Sequence, residues 1–243
     1  LFIILLFLTQ NSFSQIKNGT ISYKVVFDKE DMKDFDVYKE AQTASDQLNY
    51  TLKFNKEISV YYLEESINDD LAYNYAIAFA GKNTIYQNLK DSTYSYNNGE
   101  NNNFKKEEFI INEPIKSDWV FHNESKKIGE YLCYKATSNY ESGKDKKAFP
   151  ITAWYCPQIP YAFGPSGYGN LPGLILEIQI RNVLFGVTKI NFDDEVKAIL
   201  KPSKGKVINY EQYNAIISER AEKRKEARKK QQFLKQKFNI EVK

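Results

Sequence analysis

The chain has 243 residues, 15% of them aromatic with 18 Tyr and 16 Phe, which is length enough for one sizeable domain and a composition that favours pleated, half-buried β surfaces. One His, one Met and two Cys leave little material for a metal site. The formal net charge of +3 is uneven: nine Lys/Arg and three Glu fall between Ser218 and Lys237, so the body is mildly acidic and the basicity belongs to one C-terminal segment.

The opening stretch LFIILLFLTQNSFSQ holds an apolar core from Leu1 to Leu8, then a short polar run with Ser12-Phe13-Ser14 before Gln15. That is the pattern of a secretory signal peptide over residues 1–14. It is too short to span a bilayer, which needs about 20 apolar residues. The start lacks a Met and a basic flank and reads as truncated, and no Cys near the cleavage point supports a lipoprotein anchor. The alternative is a buried N-terminal strand. The expected mature chain begins near Gln15 and is exported, to the periplasm, the outer membrane or beyond.

TISYKVVF (Thr20–Phe27) reads as a first strand, and the polar DKEDMKDFDVYKEAQTASDQL as a short helix or excursion anchored by Phe35, Val37 and Tyr38. NYTLKFN and EISVYYLEE form strands around a tight turn at Asn55-Lys56, and YNYAIAFAG and NTIYQNLK continue the series. STYSYNNGENNNFKKEEFII adds two runs about an Asn/Gly-rich loop. Turn signals recurring roughly every 8–12 residues predict about eight to eleven antiparallel strands.

Trp119 to His122 is a short strand and Ile128-Gly129 a turn. YLCYKATSNYE and ITAWYC then flank the polar loop SGKDKKAFP. A symmetric hairpin centred between Lys144 and Asp145 sets Cys133 opposite Cys156. Opposed Cβ atoms lie about 4.5–5.5 Å apart, slightly wide for a disulfide, and an exported protein oxidises such a pair. Two reduced cysteines are the alternative, and a one-residue slip would send them to opposite faces.

Leu171-Pro172-Gly173-Leu174 suits a type II turn, with Pro fixing φ at its second position and Gly supplying positive φ at its third. Asn170, just before it, is at ease in a left-handed conformation. From Leu174 the pattern alternates, with Leu174, Leu176, Ile178 and Ile180 on one face and Ile175, Glu177, Gln179 and Arg181 on the other, a strand with one wet side. GVTKINF and EVKAIL complete a meander. Tyr210, Tyr213, Ile216 and Ile217 begin a helical apolar stripe that fades after Ser218, predicting a helix from Tyr210 to Gln236 whose first half packs and whose second half is solvated. The domain division is therefore a β domain over 15–205 and a C-terminal helix over 206–243.

NLPGLILEI, preceded by AWYCPQIPYAFGP and by WVFHNESKKIGEYLCYKA, resembles the GLPGLI family of exported Bacteroidetes proteins. Asn170 stands where that family's motif has Gly, the substitution a positive-φ site tolerates best. The resemblance implies a periplasmic or surface-associated β protein and no established activity. By fold-level analogy it implies a single strongly curved, half-barrel-like antiparallel sheet similar to the periplasmic lipoprotein carriers, an analogy that does not itself license a function.

No phosphate loop, nucleophile elbow or zinc spacing is present, so neither a catalytic residue nor a cofactor or metal is expected. His122, before Asn-Glu-Ser, reads as a hydrogen-bonded turn residue; any hydrolase reading would rest on it. Asp69-Asp70, Asp193-Asp194 and Glu64-Glu65 point to opposite faces of a strand or solvate a loop. Lys223, Arg224, Lys225, Arg228, Lys229 and Lys230 suit anionic headgroups, at about 1 kcal/mol each close to a membrane, or an acidic partner, or simply solvent. Nucleic acid is not expected after export. The leading expectation is a non-catalytic carrier for an apolar molecule or segment, with Tyr161, Phe163, Tyr168 and Leu171 at the rim of an aromatic-lined concavity; the competing reading packs those aromatics into the core. The alternative is an accessory protein of outer-membrane transport machinery that uses a sheet edge and the basic helix.

Overall fold

The computed structural model describes residues 18–28, 36–68, 70–99, 105–142, 147–192 and 199–238. The expected signal segment, Phe35, Asp69, Asp193-Asp194 and most of EVKAIL lie outside these residues.

Strand β1 (Gly19–Phe27) buries Ile21, Tyr23, Val25 and Phe27 while Thr20, Ser22, Lys24 and Val26 are more exposed, the period of two expected of a half-buried strand. β2 (Asn49–Phe54) and β3 (Ile58–Leu63) meet over Asn55, whose Oδ1 accepts the backbone N–H of both Glu57 and Ile58 at 2.9 Å and so fixes the tight turn. The series continues through β4 (Ile85–Asn88), β5 (Thr93–Asn97), β6 (Phe109–Pro114), β7 (Val120–Ile128), β8 (Tyr131–Ser142), β9 (Lys147–Cys156), β10 (Leu174–Ile180), β11 (Val183–Asn191) and β12 (Lys206–Ile208). They form one open 12-stranded sheet in the order β12-β6-β5-β4-β3-β2-β1-β11-β10-β9-β8-β7. β1 thus lies mid-sheet and joins two meanders, β2 to β6 and β7 to β11.

Three expectations need correction. The sheet has twelve strands, not eight to eleven. The sheet is mixed rather than wholly antiparallel, because β12 runs parallel to β6. YNYAIAFAG is not a strand but lies within α2 (Leu71–Ala80), which buries Tyr73, Ala76 and Ala80 on one face. A short apolar run does not by itself separate strand from helix, and here the alanines favour the helix. It stops at Gly81, whose φ of +88° only glycine takes readily and whose N–H donates to Ile77 O at 2.7 Å.

Register carries one apolar face across the sheet, pairing Ile21 with Leu52 and Leu52 with Tyr61 on one side of β1, and Val25 with Phe185, Phe185 with Ile178 and Ile178 with Ala153 on the other. α1 (Asp36–Thr43) and α2 pack near one end of this face. Fully buried Tyr38 meets Phe79 edge-on at 5.2 Å and Phe27 at 5.7 Å. Of the anchors expected for α1, Val37 is exposed instead.

The interior is filled by the chain's own rings. Tyr50 stacks on Tyr61 at 5.2 Å and meets Phe185 edge-on at 5.6 Å. Tyr23 Oη donates to Ile175 O at 2.7 Å and Tyr50 Oη to Gly81 O at 2.5 Å. Tyr61 Oη is buried, with the Ser166 side chain beside it but no well-formed hydrogen bond among the described residues. An unmade bond costs about 1–3 kcal/mol, which burial of the ring, at about 1.5–3 kcal/mol for a Phe-sized side chain, offsets.

α3 (Tyr210–Phe238) begins at a reciprocal cap in which Gln212 N donates to Asn209 Oδ1 at 2.8 Å and Asn209 N to Gln212 Oε1 at 3.1 Å. Tyr213, Ile216 and Ile217 then cover a small second core of Phe109, Ile111 and Ile208. Arg220 closes this contact with a two-pronged pair to Glu108 at 2.6 and 3.0 Å. No helix among the described residues is long and apolar enough to cross a membrane.

Candidate functional site

β9 ends at Cys156, and residues 157–173 cross the buried face before the chain returns as β10. The crossing is tied to itself and to β10: Asn170 N donates to Ala162 O at 3.0 Å, Leu174 N to Ile159 O at 2.9 Å and Ile175 N to Phe163 O at 3.0 Å. Asn170 takes the left-handed conformation expected of it, at φ +57°. Its amide donates to Ser92 Oγ and to Ile115 O, both at 3.1 Å, contacts that a glycine would not supply.

The turn itself differs from expectation. Gly173 N donates to Leu171 O at 2.8 Å, closing a three-residue turn about Pro172 in place of a four-residue type II turn. Gly173 has φ +152°, and a Cβ there would stand 2.2 Å from the Cys156 carbonyl oxygen. The crossing segment also buries Ile175: a Cβ on extended Gly164 would lie 2.7 Å from its Cδ1. Leu174, Ile175 and Leu176 are therefore all buried, and an irregularity in pairing with β9 between Ile175 and Glu177 precedes the alternating part of the strand.

Three of the four expected rim residues are core. Tyr161, Phe163 and Leu171 are buried, with Phe54 at 4.7 Å from the Tyr161 ring and 6.0 Å from that of Phe163. All three belong to the main apolar core.

Tyr168 is different. With Tyr94 of β5 and Tyr140 of β8 it lines a cleft of about 410 Å³ walled by Pro114 to Asp118 and by Ser166-Gly167. Its backbone is clamped from both sides. Gln87, wholly buried, donates through Nε2 to Gly167 O and Tyr168 O at 3.1 Å and accepts from Ser59 Oγ at 3.2 Å. Trp119 Nε1 donates to Gly169 O at 2.9 Å, and its ring meets Tyr168 edge-on at 6.3 Å. Burial, then the Glu113 carboxylate, pushes the Tyr94 hydroxyl up to about 12. Burial, with Tyr94 and Tyr140 alongside, raises Tyr168 as well. Both hydroxyls stay protonated donors at neutral pH. Lys116, at 2.9 Å, holds the Asp118 carboxyl below the usual carboxylate range. The cleft thus offers flat ring faces, hydroxyl donors and one ion pair. Tyr94, Tyr140, Lys116 and Asp118 lie far from Tyr168 in sequence and belong to no motif there; β5 and β8 are not neighbours in the sheet, so only the tertiary fold brings them together.

The cysteines stand in the expected register, since β8 and β9 pair Tyr134 with Tyr155 and Ala136 with Ala153. The structure shows no disulfide between them: both are free, buried thiols in hydrogen-bond contact. Each sulfur has a second polar neighbour as well, Tyr131 O at 3.8 Å for Cys133 and Gln158 Oε1 at 3.9 Å for Cys156. The bond from Cys133 lowers the Cys156 thiol against the opposing effect of burial, aided by the backbone N–H groups of Gln158 and Ile159. The same bond, with burial, raises Cys133.

His122 lies in β7 rather than in a turn, where the pairing with β8 is irregular, and its Nε2 is 2.7 Å from Thr137 Oγ1. Glu64 accepts from Thr51 Oγ1 at 2.6 Å. Among the described residues no three His, Cys, Asp or Glu side chains converge as metal ligands. In the basic stretch of α3, Lys223 is 2.5 Å from Glu219, Arg224 is half-buried, and Lys225, Arg228, Lys229 and Lys230 are exposed.

A family model described as a protein of unknown function (Porph_ging) matches residues 138–177, from β8 through the crossing segment into β10. No curated protein matches. Two solved structures resemble the fold. "Structure of PNGF-II in C2 space group" aligns at a TM-score of 0.53 and 18% identity, over 84% of this chain and 33% of that one. "Structure of PNGF-II in P21 space group" aligns at 0.54 and 17%, over 84% and 34%. The chain spans about a third of the length of these structures, and likeness at such identity extends to the fold alone.

Proposed function

We propose that this chain is an exported, non-catalytic binding module of the GLPGLI type, whose tyrosine-lined cleft takes a molecule with a flat apolar face and a hydrogen-bonding edge. The observation that supports this reading is the meeting of Tyr94, Tyr140 and Tyr168 in one cleft of about 410 Å³, a volume within the roughly 300–1,000 Å³ of small-molecule sites. Ring–ring contacts are worth about 0.5–1.5 kcal/mol each beyond the area they bury. The clamp on residues 167–169 presents Tyr168 at little ordering cost. In this reading the sheet curves like a half-barrel whose own hollow is filled, and cargo docks at the edge of that filling.

Native mass spectrometry of the chain from Gln15, expressed into a bacterial periplasm, tests it. The expected result is an added mass that organic extraction removes and that Tyr140→Ala no longer retains. An unliganded wild type, or an adduct indifferent to Tyr140→Ala, would sink the proposal.

A second reading, an accessory of outer-membrane transport machinery or a peripheral membrane contact, is favoured by the free edge at β7, where Val120 and Phe121 are exposed, and by the basic stretch of α3. It predicts recovery with a partner that fails when Lys225, Arg228, Lys229 and Lys230 are neutralised.

A further inference from the structure

A larger cleft, of about 660 Å³, opens where β4 and β5 meet the segment leading into β12, and it shares no residue with the tyrosine cleft. Four lysines reach it from three parts of the chain: Lys82 after α2, Lys106 before β6, and Lys201 and Lys204 ahead of β12. Glu107 is the one acid among the described residues that line it, and its carboxylate lies 3.8 Å from Lys204 Nζ. Lys82, Lys106 and Lys201 have no ion-pair partner among the described residues.

Two asparagines build this convergence. Asn97 Nδ2 donates to Lys204 O at 2.7 Å and to Phe109 O at 3.3 Å, which ties the irregular 199–205 segment to the sheet. Buried Asn98 spends its side chain on backbone alone. Its Nδ2 donates to Lys105 O at 2.8 Å and Gly99 O at 3.1 Å, and its Oδ1 accepts from Phe109 N at 2.6 Å. The lysines therefore gather at a fixed concavity, whereas those of α3 are spread along an exposed helix. A concave, low-dielectric wall lined by one sign of charge focuses potential. Leu200, 79% exposed, and Pro202, partly exposed, also line the cleft and give it an apolar side.

We propose that this cleft binds a small organic anion, one carrying a phosphate or sulfate group. Lys82, Lys106 and Lys201 meet the charged end as point-charge donors, and the apolar part lies along Leu200 and Pro202. The site is independent of the tyrosine cleft, so either assignment can fail without the other.

Calorimetric titration of the full chain with phenyl phosphate and, separately, phenyl sulfate is the test. Saturable one-to-one binding that weakens with added salt, because charge interactions are screened within about 8 Å at physiological ionic strength, is expected for at least one probe. The tighter probe names the headgroup. Lys82→Gln with Lys201→Gln should weaken that binding about tenfold or more, while Lys56→Gln with Lys127→Gln, exposed and outside both clefts, leaves it unchanged. Leu200→Ser should reduce the preference for the phenyl ester over inorganic phosphate or sulfate. No saturable binding of either probe, or an equal loss in the Lys56→Gln, Lys127→Gln variant, would overturn the proposal. These lysines are surface residues, and melting temperatures matching wild type will show that the variants fold.

Discussion

Gly173 and Asn170 both take positive φ beside Pro172, yet they resist substitution for different reasons. At Gly173 a side chain meets both a strained conformation and the Cys156 carbonyl, which belongs to backbone that cannot step aside. Gly173→Ala should cost at least about 3 kcal/mol in urea unfolding. At Asn170 the conformation is tolerated and the amide adds two bonds, so Asn170→Ala should cost about 1–2 kcal/mol and Asn170→Gly less, since glycine restores the conformation while losing the contacts. A glycine variant that unfolds as readily as the alanine one would show that Ser92 and Ile115, not φ, set the requirement. The sequence made the left-handed Asn170 legible because a single-residue property decides it. It could not tell rim from core at Tyr161, Phe163 and Leu171, because an aromatic beside a stiff turn reads the same in either place, and Phe54, the ring that decides the matter, is remote in the chain.

Among the elements, α3 divides at Arg220. Its first turns partly bury Tyr213, Ile216 and Ile217 and end in the pair with Glu108. Beyond it, most side chains are exposed and the body gains little. Limited trypsin digestion should therefore make its first cuts between Lys223 and Lys230, and a chain ending at Ala221 should melt within about 0.5 kcal/mol of the full one. Protection of those lysines in the isolated protein would mean that the arm folds back on the body. The change of character after Ser218 was legible from composition. β12 was not, for three residues carry no period; its place beside β6 follows from the pairing of Ile208 with Ile111 under α3. α2 misled because an Ala-rich apolar run satisfies both a strand and a buried helix until its partner, Tyr38 of α1, is known.

For the molecule as a whole, the tyrosines that fill it set its alkaline limit. Burial raises Tyr23, Tyr50, Tyr61 and Tyr96 well above the ordinary phenol value, and Tyr94 to about 12. A group whose folded value is raised contributes fully below its unfolded value, near 10, and loses that contribution as pH climbs toward the folded value. Each pH step above 10 removes about 1.4 kcal/mol per such tyrosine, so five of them exhaust a typical stability of roughly 5–15 kcal/mol within one to three steps. Tyrosinate absorbance should rise cooperatively at about pH 11–12 together with loss of circular dichroism. Gradual ionisation with the fold retained would mean that these hydroxyls reach solvent.

The mid-sheet place of β1 has a consequence in time. Each meander can form from neighbouring hairpins as soon as its strands exist. β1 cannot be seated on both sides until β11, near the far end of the ordered body, is available, and joining Thr20 to Asn191 closes a loop costing on the order of 4–5 kcal/mol in chain entropy. Such distant pairing slows folding. Until then the molecule is two half-sheets, one of them already carrying β1, and their union waits on the pairing of β1 with β11.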